Sequence, residues 1–321
     1  MRRHGTLLIG LATLLGVLLL AAPGVVVAGE STWTDWKKNL PFDLTGEIEA
    51  GGQIVQPRGS DPSATFDEYR DLPRTDEGGW WGHLFQVPLL RLRGEDRART
   101  QYLEIGGVNL TRMDANYYLN AGLYNYLRFN FEFDRIPHVV SHTAQTIYDE
   151  VSPGIFRIPG GTAAGPGLTL ATALQAVANP PTAAQRTDVV NAVNALLHPT
   201  ELGFQSDTAR FGLTWLPLPE LELSAGYSIT ARDGHVPVGG AFTRGNPVEF
   251  AGTRDERFHE AKFGAEYAQD WYQFRVNYAF SAFENDISKW EWDNPCGGGS
   301  NCGTTAPNVQ GTIGRRSTYP D

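Results

Sequence analysis

Cysteine is nearly missing from this sequence, with two residues in 321, Cys296 and Cys302. Neither begins a Cys-x-x-Cys-His run, so the chain holds no covalent c-type haem of its own. After Gly29 there is no apolar run long enough for a transmembrane helix. Positive charge is also in short supply. There are 26 basic residues against 36 acidic ones, a net charge of −10. Nucleic acid is not an expected partner for such a chain. No nucleophile–base pair stands out and the seven histidines are scattered, so no catalytic residues are assigned and an enzyme is not expected.

What is present begins with a secretory signal. Arg2 and Arg3 form a basic start, Leu7 to Ala22 an apolar run, and Val26-Val27-Ala28 a small-residue cleavage site before Gly29. An uncleaved anchor helix is the alternative, but a barrel must leave the cytoplasm whole, which favours cleavage. Residues 1–28 are read as the signal peptide and 29–42 as a periplasmic N-terminal segment. The mature chain keeps 24 basic and 36 acidic residues, a net charge of −12. Mean hydropathy is −0.29, as in a soluble protein. A β-barrel gives the same average, because each lipid-facing residue alternates with a polar one.

That alternation recurs in segments of about 9–15 residues. In Asn125–Arg135, Leu127, Phe129, Phe131 and Phe133 take one face, and Arg128, Asn130, Glu132 and Asp134 the other. Ala115–Leu123 precedes it as a hairpin partner. Ser206–Leu216, with Phe211 and Trp215 on one face and Arg210 on the other, pairs with Glu220–Arg232, which carries Glu222. Arg257–Ala268 pairs with Trp271–Glu284, where Phe274, Tyr278 and Phe280 oppose Arg275. Asp43–Val55, His83–Arg93 (interrupted by Pro88) and Ala98–Leu110 complete nine strands. The fold class is therefore all-β, a transmembrane antiparallel barrel. Expected lipid-facing residues are Leu127, Phe129, Phe131, Phe133, Phe211, Trp215, Phe274, Tyr278 and Phe280. Expected lumen-facing residues are Arg128, Glu132, Asp134, Arg210, Glu222, Arg232, Lys262, Glu266 and Arg275, with Glu260. A soluble sandwich could show such alternation too, but four large apolar groups against charges in one strand fit a lipid face better.

Short turns near 94–97, 124, 217–219 and 269–270 alternate with longer links at 56–82, 136–205, 233–256 and 286 onward. Only the link at 111–114 breaks the contrast. Bacterial outer-membrane barrels have short periplasmic turns and long outer loops, so the long loops are expected outside. The strands then occupy 43–285. The 136–205 loop carries helical pieces at Leu168–Ala178 and Thr187–Leu197, expected to fold as a helical hairpin over the loop. Starting from the periplasm, a ninth strand runs outward into an outer loop, 286–321. A closed bacterial barrel has an even strand number, so the sequence reads as part of a larger barrel.

Candidate chemistry is sparse. Cys296 and Cys302 sit in a Gly-rich loop and read as a local disulfide in an oxidising compartment, with a metal pair as the alternative. His138 and His142 have a spacing that suits a metal on a helix, but Pro137 and the strand context argue against it. Asp67 to Asp71 reads as a loop salt-bridge network.

Several stretches resemble one family. They are Phe66-x-Glu-Tyr-Arg-Asp71, Tyr102-Leu-Glu-Ile-Gly-Gly-Val-Asn-Leu110, Phe131-Glu-Phe-Asp-Arg-Ile-Pro-His138 with Ser141-His-Thr-Ala144, Asp207-Thr-Ala-Arg-Phe-Gly212, Gly239-Gly-Ala-Phe242 and Trp290-x-Trp-Asp-Asn-Pro295. In order and together they resemble the MtrB/PioB family of decahaem-associated outer-membrane proteins. The resemblance implies a barrel of roughly two dozen strands, longer than this chain supplies. It implies a sleeve around a periplasmic multihaem c-type cytochrome in the lumen, an extracellular cytochrome as a further partner, and electron transfer across the bacterial outer membrane. Haem would be present only through the partner. Some members carry a Cys-x-x-Cys near the mature N-terminus. This chain has none in Gly29–Leu44, so a role tied to that motif does not transfer.

A general diffusion porin is the competing reading, and a small-barrel hydrolase is a weaker one for lack of a nucleophile–base set. Phe131→Arg is expected to cost about 2–4 kcal/mol of insertion free energy if Phe131 lies near the membrane midplane. A neutral result in a lipid folding assay would move Phe131 to the other face.

Overall fold

In the computed structural model the described residues are 42–52, 68–69, 86–160, 165–177, 180–241, 247–295 and 317–318. In chain order the elements begin with β1 Phe42–Gly51, β2 Gln86–Asp96, β3 Gln101–Val108, β4 Asn116–Leu123 and β5 Leu127–Ser141. Then come the short strands β6 Gln145–Thr146, β7 Asp149–Ser152 and β8 Ile155–Arg157, the helices α1 Gly165–Gln175 and α2 Ala183–Asn194, and β9 His198–Pro199. The chain continues through β10 Leu202–Leu218, β11 Leu221–Ala241, β12 Pro247–Gln269, β13 Tyr272–Asn285, β14 Lys289–Trp292 and β15 Ser317–Thr318. The expected signal peptide at 1–28, residues 29–41 and most of the 56–82 link lie outside the described residues. No described helix is long and apolar enough to cross a membrane.

Nine strands form one antiparallel sheet in the order β1-β2-β3-β4-β5-β10-β11-β12-β13. The nine expected strands are all in it. Neighbours follow chain order except where β5 meets β10, and there the chain leaves the wall to build a cap. β1 and β13 are each paired on one side only among the described residues.

Local chemistry explains the tight ends. Asp96 closes the β2–β3 turn: its carboxylate accepts from the Thr100 and Gln101 amides at 2.5 and 2.8 Å and from the Thr100 hydroxyl at 2.7 Å. Between β4 and β5 the Tyr126 amide donates to the Leu123 carbonyl at 3.1 Å. Asn125 takes φ +58° there, a left-handed conformation that Asn tolerates better than most side chains.

The structure departs from the sequence reading at the other end. β5 runs on to Ser141, β10 begins at Leu202, β11 reaches Ala241 and β12 begins at Pro247, so pairing continues well past the expected strand limits. The link after residue 286 also contains a strand, β14. Alternation stops where the environment of one face changes, while backbone pairing does not. Pro137 shows how β5 continues. The amides of Arg135 and Val139 donate to the Ala115 and Glu68 carbonyls at 3.1 and 2.9 Å. Pro137, two residues from each, lacks its N–H on that same side, beyond the end of β4, where no ladder bond is lost.

Among the described residues, the packed apolar core lies in the cap. Tyr148, Phe156, Ile158, Leu170, Ala192, Leu196, Phe250 and Trp292 are buried together. Phe250, on the extension of β12, is the hub, with ring centroids 4.9 Å from both Phe156 and Trp292 and 6.3 Å from Tyr148 and Trp290. β7, β8, β14 and β15 form a small sheet in which β8 and β14 run parallel. α2 starts with a capping box between Thr182 and Gln185, which satisfies two end amides reciprocally. Leu170 of α1 and Ala192 of α2 reach the core. The cap therefore stands on the wall's own strands.

Phe250→Ala should destabilise the cap by about 3–5 kcal/mol. Hydrogen exchange should rise across 147–158 and 165–175 while 209–229 keeps its protection. An equal rise in both regions would show that cap and wall open as one unit.

Candidate functional site

The functional surfaces are the two faces of the wall. The register places Gly46, Leu92, Ile105, Leu119, Phe131, Phe211, Tyr227, Ala261 and Phe280 in one row across nine strands, with no polar side chain in it except the Tyr227 hydroxyl. A second row runs Leu127, Trp215, Leu223, Ala265 and Val276. All nine expected lipid-facing residues (Leu127, Phe129, Phe131, Phe133, Phe211, Trp215, Phe274, Tyr278 and Phe280) share this face. The rings form a ladder, with centroids 4.9 Å apart for Phe131–Phe211, 6.3 Å for Tyr117–Phe133 and 6.4 Å for Phe211–Tyr227. Among the described residues no layer of protein covers this face: Phe211 is 41% exposed, Phe274 63% and Tyr278 64%. Leaving such side chains in water forgoes roughly 1.5–3 kcal/mol each, so the face requires an apolar medium.

This apolar belt has two borders. At the short-turn end it closes on aromatic groups with polar tips. Trp271 and Tyr272 pack with centroids 4.6 Å apart, and Tyr267 lies 6.1 Å from Tyr272. At the long-loop end one register row changes character. It reads Arg135, Asp207, Ala231, Arg257 and Glu284. Arg135 grips Asp207 through two bonds of 3.2 Å. Arg257 reaches Asp286 at 2.9 Å and Asp255 at 3.5 Å. Beyond that row Asp233 and Asp255 pair on the same face. The strand extensions that carry the cap start here.

The opposite face holds every expected lumen-facing residue. Arg210 lies 3.5 Å from Glu132, Arg128 3.5 Å from Glu222, Arg232 3.9 Å from Glu256, Lys262 2.7 Å from Glu260 and Arg275 2.5 Å from Glu266. Asn116 donates to Glu132 and Asp134 at 3.0 and 3.4 Å. Arg91 and Arg93 share Glu104, each at 3.1 Å. From β2 to β13 these pairs match charges of opposite sign, mostly across neighbouring strands, with Lys262 and Glu260 paired along β12. Near the short turns it holds a recess of about 530 Å³ lined by Arg93, Tyr102, Asn120, Tyr124 and Arg128.

The cap carries its own polar fastenings. Arg157 binds Glu291 at 2.5 Å and Asp293 at 3.3 Å, and Lys289 adds a 2.9 Å contact to Glu291. Asp293 also accepts from the Ile158 amide at 3.1 Å, and its carbonyl accepts from the buried Tyr148 hydroxyl at 3.0 Å. Burial pushes the Tyr148 phenol well above its ordinary value. Hydrogen bonds from Arg157, then Lys289, hold the Glu291 carboxyl down at about 2. Gly154, at φ +76°, lets the β7–β8 turn approach Lys289 so closely that a Cβ would strike its carbonyl oxygen.

Sequence reasoning did not find these groups. Trp290, Trp292 and Asp293 stood within a quoted motif, but nothing in the sequence pointed to Arg157 or Phe250 as their partners. His138 stacks on Phe204 at 4.3 Å and meets Tyr69 edge-on at 5.0 Å, which places it in an aromatic sandwich. Cys296 and Cys302 lie outside the described residues.

A wide antiparallel wall with a continuous apolar face, a polar face and a cap at its long-loop end defines a transmembrane β-barrel of the outer membrane. The chain belongs to the MtrB/PioB family of outer membrane beta-barrel porins, whose model matches residues 87–317. No curated protein matches the chain.

Because the Glu291 carboxyl is held below its ordinary 4.5, its contribution to the cap is full above that pH. It is lost as the pH falls through about 2. Acid titration followed by tryptophan fluorescence should show the cap loosening in that window. Glu291→Gln should remove that part of the pH dependence, and an unchanged acid profile in the variant would refute the assignment.

Proposed function

We propose that this chain forms the wall of an outer-membrane sleeve that holds a periplasmic multihaem c-type cytochrome and supports electron transfer across the membrane. The apolar face meets lipid, the polar face lines the lumen, and the long-loop end with its cap is extracellular. The wall carries out no redox chemistry and binds haem only through the cytochrome, which supplies every redox centre. An extracellular cytochrome would dock over the capped end. One observation carries the reading: within a family of this description, the polar face is a mosaic of opposite charges already matched to one another. Such a surface contacts a folded guest without stranding a buried charge.

A general diffusion porin is the second reading, and the family description as porin favours it. A water path would use the same mixed charges.

The test is to express the gene with its neighbours, purify the barrel from outer membranes in mild detergent, and record a haem spectrum. Stoichiometric c-type haem that vanishes on deletion of a neighbouring cytochrome gene supports the sleeve. A colourless barrel that conducts ions across planar bilayers overturns it in favour of the porin.

A further inference from the structure

Among the described residues, two cap side chains hydrogen-bond to the wall at Thr253: Trp290 Nε1 donates to its carbonyl at 3.1 Å, and Glu150 joins cap and wall through several bonds to one carboxylate. Glu150 lies on β7, in the cap. One carboxylate oxygen accepts from the Gly154 amide at 2.9 Å and from the Thr253 hydroxyl of β12. The other lies 3.0 Å from Nε2 of His235 on β11. His235 and Thr253 are register partners on adjacent wall strands. A single carboxylate therefore ties the β7–β8 turn to both strands that carry the cap. The contact borders a cavity of about 360 Å³ lined also by Tyr148, Asp149, His198 and Ala251. His235 stands four residues beyond Ala231, past the charged row that ends the apolar belt.

We propose that Glu150 is the latch that clamps the cap onto the wall, and that its His235 arm makes the clamp tighter in acid than in base. The charges around His235 are Glu150 on β7, Asp233 on its own strand and Glu201 before β10. Asp149, paired with His198 at 3.4 Å, lines the same cavity. Every fixed charge of that set is acidic. The Glu150 hydrogen bond, working against burial, raises the His235 imidazole above its ordinary 6.5. Burial pushes Glu150 up, but the bonds from His235, Thr253 and Gly154 outweigh it and leave the carboxyl below its ordinary value. The ionic part of the latch is therefore fully present between the ordinary carboxyl value of 4.5 and the ordinary imidazole value of 6.5, and is lost as pH rises through the raised value of His235. The neutral imidazole keeps at most an ordinary hydrogen bond. This holds whichever guest or solute occupies the lumen.

The test is hydrogen exchange on the full chain in detergent, corrected for the intrinsic effect of pH and read on peptides covering 147–158. From pH 6 to pH 9 the protection should fall by about two- to fivefold, the range of a partly exposed ion pair. His235→Gln should flatten that profile. Thr253→Val should lower protection at every pH and leave the slope intact. Glu150→Gln should do both. A native profile that does not change with pH, or a His235→Gln variant that keeps the native slope, overturns the proposal. The His235 and Thr253 variants keep the test decisive if the Glu150 variant fails to fold.

Discussion

A bilayer offers no water to a bare backbone, so each N–H and C=O at membrane depth must be paired within the protein. The rest of the structure follows from that demand. Between the outer edges of β1 and β13 it is met by nine strands in continuous antiparallel register. Register in turn decides which residues share a face, because a slip of one residue would turn every side chain over. Phe131 faces Phe211, and Arg210 faces Glu132, so a slip would strand rings among charges on both sides. The apolar ladder and the ionic mosaic therefore fix one another. Each such ion pair adds little by itself where it remains exposed. Its value lies in the alternative pairings it disfavours.

How far the sequence revealed this depends on where the environment is uniform. Within the belt, one face meets one medium and the other face another. The alternation of Leu127, Phe129, Phe131 and Phe133 with charged neighbours was therefore readable, and all nine wall strands were found. Past Arg135, Asp207 and Arg257 both faces meet polar surroundings or the cap. Alternation lapses there, and the extensions of β11 and β12 were read as loops.

The cap was the least legible part, because its core is assembled from residues far apart in the chain. Phe156, Leu170, Ala192, Phe250 and Trp292 come together, yet none marks a strong local period. Arg157 finds Glu291 across 134 positions. Helices α1 and α2 showed helical spacing, but the surface they would cover did not. Tryptophan and aspartate crowded into Trp290–Pro295 looked like a loop motif. They are a strut that returns the chain to the β7–β8 turn.

The insertion of the cap between β5 and β10 also bears on how such a wall can be made. Among the described residues every other pair of neighbouring wall strands is consecutive in chain order, whereas this seam must wait for residues 142–201 to be put in place. Loop closure of that length carries an entropic cost that grows only slowly with length, but pairing across it is non-local and therefore slow. The seam divides the wall into two blocks, β1 to β5 and β10 to β13, each able to zip along its own hairpins. Assembly then becomes the docking of two sheets along a single line, on which Phe131 meets Phe211 and Arg135 meets Asp207.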